Sequence, residues 1–220
     1  MKQCVILGAC LDGFPKNANA LIQSNAYLIC ADGGIQAAKQ LSLSPNLIVG
    51  DFDSWPESSP APEGGSVLDG AEVIRLSAEK DETDTQYAVE EALRRGYRSF
   101  LILGGLGGRL DHTLANIATL EYLKDQNADG LLADDRHRVR IGRNETVLFD
   151  GFEGAALSIF PQGGGACVVS GTGVRYKLEH LRLSSGFPLG VSNHITAPQC
   201  RVTVEEGTAL FIVCREKLFF

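Results

Sequence analysis

Acidic residues in the first half of the chain fall into four tight groups: Asp32-Gly33-Gly34, Asp51-Phe52-Asp53-Ser54, Asp81-Glu82-Thr83-Asp84 and Arg109-Leu110-Asp111. Each group alone has an ordinary explanation, because Asp and Gly favour turns and Asp84 or Asp111 could cap a helix. Together they ask for another. Packed carboxylates repel one another, and some stay protonated unless a cation holds them. A hard, oxygen-seeking Mg²⁺ suits such a set and usually arrives with substrate phosphates. Asp51 and Asp53, two apart in extended chain, point to one side. Asp81 and Asp84, three apart at a helix start, can face one ligand.

A second element lies beside them, Gly104-Gly105-Leu106-Gly107-Gly108-Arg109. Glycines let backbone N–H groups approach an anion closely. A helix beginning near His112 would turn its positive end to the same place, and Arg109 adds a fixed charge suited to phosphate oxygens. Acids for metal with glycines and Arg for phosphate suggest phosphoryl-type transfer, in which catalysis is mainly positioning and charge stabilisation. A Walker A sequence is missing, and no complete G-x-G-x-x-G follows the first strand, which disfavours a P-loop NTPase and a dinucleotide dehydrogenase.

The elements that must position these groups alternate in type. Apolar runs predict strands over 4–7, 27–31, 47–50, 73–76, 100–103 and 131–133, with helices between them near 17–24, 35–41, 84–95 and 113–124. Such alternation implies βαβ units and a mostly parallel open sheet, whose strand exits line a ligand crevice. All four acidic groups follow predicted strands, so they should converge at one edge. Beyond about residue 136 helical periodicity ends. Short strands over 147–149, 156–160, 166–169, 178–183, 201–205 and 209–213, separated by Gly-rich turns, predict an all-β sandwich or barrel. The expected division is 1–136, an α/β catalytic domain, and 137–220, a β domain. The stretch 55–70, rich in Pro, Ser, Glu and Gly, reads as a surface loop.

Composition narrows the partners. The 220 residues carry a net charge of −7, which argues against nucleic acid but not against one nucleotide held through a divalent metal. The six cysteines contain no C-x-x-C pair and mostly sit in apolar runs, as buried free thiols do in a reducing cytosol. No run approaches the ~20 apolar residues of a membrane span. The expectation is a cytoplasmic protein without a membrane partner.

These residues resemble the thiamine pyrophosphokinase (thiamine diphosphokinase) family. The matching segments are Ala31-Asp32-Gly33-Gly34, Pro45 to Ser54, Lys80-Asp81-Glu82-Thr83-Asp84 with Ala88, and Gly107-Gly108-Arg109-Leu110-Asp111-His112 with Asn116. Gly173-Val174-Arg175-Tyr176 and Gly190-Val191-Ser192-Asn193 look like the family's substrate-side segments. The resemblance implies an α/β domain, a C-terminal β-sandwich that binds thiamine and dimerises, and a homodimer with sites at the subunit interface. It implies that thiamine's hydroxyl attacks the β-phosphorus of ATP, giving thiamine diphosphate and AMP. Carried over, Asp51, Asp53, Asp81 and Asp84 hold Mg²⁺. Asp32, Gly33, Gly34, Lys80, Gly105, Gly107, Gly108 and Arg109 bind ATP. Arg109 also stabilises the transferring group, and Asp111 supports the site or helps to take the hydroxyl proton. Ser192 and Asn193 contact thiamine. Where many relatives carry Gly-Gly after the first strand, this chain reads Gly8-Ala9-Cys10. His112 reads as a positioning or capping group, Tyr176 as packing in the sandwich, and Trp55 as either a stacking or a surface residue. Two rivals remain at this point: a diphosphokinase for another hydroxymethyl heterocycle such as a pterin, and a regulator without catalysis.

Overall fold

A computed structural model describes residues 2–11, 14–52, 63–64, 67–68, 70–77 and 81–215. Asp53, Lys80 and Trp55 lie outside the described residues. The chain divides into two compact units, Met1–Thr119 with Asn127–Asp135, and Leu120–Gln126 with Arg136–Phe220.

The first unit runs β1 (Gln3–Leu7), α1 (Ala18–Leu21), β2 (Tyr27–Ala31), α2 (Gly34–Gln40), β3 (Leu47–Gly50), β4 (Val67–Leu68), β5 (Ala71–Arg75), α3 (Asp84–Arg94), β6 (Ser99–Leu103), α4 (Leu110–Asp125, which from Leu120 on counts to the second unit) and β7 (Asp129–Ala133). Its strands lie in the order β7-β6-β1-β2-β3-β5-β4. Every pairing is parallel except β4 with β5. The central strands are apolar on both faces, as a sheet covered on both sides requires; Val5, Ile6, Leu7, Ile29, Ile48, Leu101 and Ile102 are almost wholly buried. After β1 the chain winds outward through β2, β3 and β5, then returns to β6 on the other flank of β1. The sheet's topological switch point is therefore between β1 and β6.

Helix α3 gives Thr83 of its motif a structural role. Thr83 is the N-cap, its side chain accepting from Gln86 N at 3.1 Å, so neither Asp81 nor Asp84 caps it. Ala88, Val89 and Ala92 bury its inner face, while Tyr87 is half-buried. Glu91 is buried but held by Arg94 and by Arg95 at 2.6 Å. Gly96 closes the helix at φ +90, a left-handed turn that costs glycine little. Helix α1 stops four residues in, against the expected 17–24. Gln3 accounts for that: its amide donates to Leu21 O at 3.2 Å and accepts from Gln23 N at 2.9 Å, satisfying the end of a helix that Asn17 does not cap.

The second unit is all antiparallel: β8 (His137–Arg143), β9 (Thr146–Leu148), β10 (Ala156–Gln162), β11 (Ala166–Thr172), β12 (Leu178–Ser184), β13 (Asn193–His194), β14 (Arg201–Glu206) and β15 (Thr208–Cys214). They form two sheets, β13-β10-β15-β8 and β12-β11-β14-β9. Phe149, Leu157, Ile159, Val169, Leu183, Val202, Val204 and Phe211 meet in one core. The α/β-plus-β-sandwich class expected from the sequence is the fold observed. Strand β8 was not expected. Its three arginines mask an apolar Val139 and Ile141, both buried where β8 pairs with β15. At the other end of the chain, part of the stretch read as a surface loop, Val67–Leu68, is the edge strand β4.

Cys4, Cys30, Cys167 and Cys200 are buried free thiols, as expected, and burial pushes Cys4 and Cys30 up to about 12. Cys10 and Cys214 are half-buried.

Candidate functional site

The carboxyl ends of the parallel strands surround a cavity of about 480 Å³. Its walls come from the turns after β1 (Ala9, Cys10), β2 (Ala31, Asp32), β3 (Asp51) and β6 (Gly104, Gly105, Gly107, Gly108, Arg109). The starts of α3 (Glu82 to Thr85) and α4 (His112, Asn116) complete them. This is the crevice that an open parallel sheet offers at its switch point. Backbone bonds tie its rim together: Gly8 N to Leu103 O at 2.8 Å, Cys10 N to Gly104 O at 3.3 Å and Asp32 N to Val49 O at 2.8 Å.

Two turns around the cavity are conformationally costly. Asp32 and Phe52 have φ of +47° and +59°, in the left-handed region where residues with a Cβ are uncommon. Phe52 is buried in the core of the unit, and that anchorage holds the turn that brings Asp51 to the wall. Glycines 104, 107 and 108 also have positive φ, so the 104–108 loop adopts a path that few other residues could follow.

Of the acids read from the sequence, Asp32, Asp51 and Asp84 line the cavity, and Glu82 joins them. Asp81 is exposed and not part of the wall. A helix start places residue 84 inward, and the preceding turn turns 82 rather than 81 toward it. Gly33 and Gly34 are not in the lining either. Gly34 opens α2 so close to β1 that a Cβ there would stand 1.9 Å from Leu7 O, a packing reason for glycine at that position. Ala9 and Cys10 both line the cavity, and a Cβ built on Gly108 would lie 3.3 Å from Cys10 Sγ. Of the two side chains that replace Gly-Gly in this turn, Cys10 thus sits against the glycine loop and Ala9 against Gly33.

Arg109 and Asp111 form a two-point ion pair at the start of α4, with Nη2 to Oδ2 at 2.6 Å and Nε to Oδ1 at 3.2 Å. Arg109 above all, helped by the His112 N–H, holds the exposed Asp111 carboxyl down to about 2. Such a group is a poor proton acceptor at neutral pH. Asp111 does not reach the lining, whereas Arg109 and His112 do.

Residues 18–131 match the family described as thiamin pyrophosphokinase, catalytic domain, and residues 136–209 match its vitamin B1 binding domain. The chain belongs to the thiamin pyrophosphokinase family. It is 30% identical over 214 residues to thiamine pyrophosphokinase 1 of Oryza sativa subsp. japonica, covering 90% of this chain and 75% of the relative. To thiamin pyrophosphokinase 1 of Caenorhabditis elegans it is 26% identical over 208 residues, covering 89% of this chain and 82% of that one. The fold matches the crystal structure of thiamine pyrophosphokinase from Bacillus subtilis with a TM-score of 0.84 at 22% identity, covering 98% and 100% of the two chains. These relatives are named as enzymes, which leaves the non-catalytic rival without support, and no relative named here points to a pterin.

In the second unit, Tyr176, Lys177, Leu178, Leu189, Gly190, Val191 and Asn193 line a separate cavity of about 340 Å³. Tyr176 corrects the sequence reading: the residue is 60% exposed rather than packed inside the sandwich. Asn193 is buried and clamps it, donating to Tyr176 O at 2.8 Å and accepting from Tyr176 N at 2.9 Å and His194 N at 2.8 Å. Its carboxamide is thereby committed to shaping the wall. Ser192 beside it sits at φ +58° with its N–H on Ser158 Oγ at 3.1 Å.

Proposed function

We propose that the protein transfers a diphosphoryl group from ATP to the hydroxyl of thiamine, releasing AMP. The observation that carries this reading is the convergence of Asp32, Asp51, Glu82, Asp84, the 104–108 loop and Arg109 on one cavity, in a chain of this family. The thiamine oxygen attacks the β-phosphorus, the bond from that phosphorus to the oxygen bridging the α-phosphorus breaks, and the electron pair leaves with AMP. The hydroxyl proton passes to a base or to solvent.

The donor set fits Mg²⁺, since Asp32, Asp51, Glu82 and Asp84 at the wall supply the carboxylate oxygens that a hard cation takes. Among the described residues no three His, Cys, Asp or Glu side chains gather into a ready-made metal cage. That suits a cation that keeps several waters and borrows ligands from substrate phosphates. Asp51 and Asp84, with Asp53 outside the described residues and Asp81 beside the wall, are the proposed ligands. Bound there, Mg²⁺ would neutralise charge developing on the phosphate oxygens. The backbone of Gly105, Gly107 and Gly108 holds the phosphate chain, and Arg109 stabilises the group in flight. Asp32, with Gly33, Gly34 and Lys80, is assigned to the nucleotide side, and Ser192 with Asn193 to the thiamine side.

We assign the active form as a homodimer. Leu110 and Leu114 are 72% and 59% exposed one turn apart on α4, and Tyr176, Phe187, Leu189 and Val191 form an exposed apolar group in the second unit. No helix of the described residues is long and apolar enough to cross a membrane. With six free cysteines, this favours a cytoplasmic enzyme. Separation of nucleotide and thiamine products after incubation with both substrates, with and without a chelator, tests the reaction and its metal. Light scattering of the eluted protein tests the dimer.

A further inference from the structure

Asn116, on the second turn of α4, is 7% exposed, and yet it lines the cavity. Its Nδ2 donates to Gly105 O at 2.8 Å. A carbonyl can only accept, so the carboxamide is oriented with its nitrogen toward the loop and its oxygen turned away. That oxygen takes no hydrogen bond from a described residue, and it is not sealed from solvent. A buried amide with one end committed, on a residue that lines a cavity, has a polar end still to meet a ligand.

The loop it holds needs an external hold. Glycines 104, 107 and 108 take left-handed φ values and gain nothing from side-chain packing of their own. Ordering each such residue costs about 1–2 kcal/mol of backbone entropy. Gly105 is the buried foot of the loop, where a Cβ would stand 2.8 Å from Leu132 and 3.2 Å from Asn116 Nδ2. The hydrogen bond from Asn116 fixes the plane of the peptide that follows Gly105, and so the direction in which the loop leaves β6.

We propose that Asn116 is a positioning residue for the nucleotide. It sets the 104–108 loop through Gly105 and offers its carboxamide oxygen to a hydroxyl or amino donor of the bound nucleotide. The phosphates carry acceptors at neutral pH, so the donor is on the ribose or the base. The inference rests on the loop being the nucleotide loop, as proposed above, but its first readout needs no turnover.

The test compares Asn116→Ala and Asn116→Asp with the unaltered protein, each checked for an intact thermal transition. Amide hydrogen exchange across residues 104–108, without nucleotide, is expected to quicken about tenfold in Asn116→Ala, the loss of one net hydrogen bond. The KM for ATP is expected to rise by about tenfold or more while the KM for thiamine stays within about twofold. Asn116→Asp adds a signature that general loosening would lack. Its carboxylate repels Gly105 O, but the protonated acid can donate to it, so the kcat/KM ratio of variant to unaltered protein should climb as pH falls. Unchanged loop exchange in Asn116→Ala, or a pH-independent ratio in Asn116→Asp, overturns the proposal. Failure of the unaltered protein to make thiamine diphosphate would instead reject the function, with the exchange result still deciding the loop.

Discussion

Arg109 and Asp111 grip each other through two hydrogen bonds, 2.6 and 3.2 Å, with Arg109 on the cavity wall and Asp111 behind it. Both side chains are well exposed, at 73% and 64%, so the pair adds little to stability. Its consequence is directional. It presents the guanidinium to the cavity in one orientation and keeps the carboxyl ionised.

Asp111→Asn is therefore expected to lower turnover by loosening Arg109, without removing an ionisation from the pH profile. With its carboxyl at about 2 in the folded protein, against 3.8 ordinarily, the contribution of Asp111 is present above the ordinary value. It is lost only as the pH falls through about 2. The acid limb of kcat/KM from about pH 4 to 7 should be the same in variant and unaltered protein. A limb that vanishes in the variant would make Asp111 the proton acceptor after all.

Asp84→Asn should separate chemistry from folding. Asp84 lines the cavity in the first turn of α3, where losing a charge costs about 0.3–1 kcal/mol of helix-dipole interaction. Turnover should fall about a hundredfold or more, a proposed metal ligand being worth several kcal/mol. Thr83→Ala is the control on the same turn. It removes the N-cap and should cost about 1 kcal/mol in a urea melt while leaving the metal dependence of turnover in place.

Gly34→Ala is expected to fail as a fold before it fails as an enzyme. The added methyl would meet Leu7 O at 1.9 Å, backbone against backbone, where neither side can swing away. Overpacking of this kind costs about 3 kcal/mol or more, readable as a shifted denaturation midpoint. A variant that melts normally but loses affinity for ATP would make nucleotide contact, rather than packing, the reason for glycine at this position.

Cys10 offers a probe of the cavity. It lines the wall and is half-buried, whereas Cys4 and Cys30 are buried and pushed up to about 12. A thiol reagent should label Cys10 ahead of Cys4 and Cys30, and ATP should slow that labelling while leaving half-buried Cys214 unaffected. Labelling of Cys10 that ignores ATP would place the nucleotide elsewhere.

Much of this was legible in the chain because period and position report on physics directly. The apolar runs around Val5, Ile29, Ile48 and Ile102 are buried on both faces, so they stand out as parallel strands, and the acids after them had to reach the strand exits. What stayed hidden depended on partners distant in sequence. Strand β8 reads as an arginine-rich segment until β15 lies beside it. Asn193 reads as a polar contact residue until its amide is seen spanning the backbone of Tyr176. Glu82 and Asp81 differ by one step around a turn that only Thr83's capping bond defines. The family resemblance rested on whole motifs, so it survived such local changes of role.

The most direct test is to incubate the purified protein with ATP, thiamine and Mg²⁺ and to quantify nucleotide and thiamine products together. AMP and thiamine diphosphate appearing in equal amounts, only when thiamine and the cation are both present, is the expected result. ADP with thiamine monophosphate, or AMP released without a phosphorylated thiamine, would contradict diphosphoryl transfer.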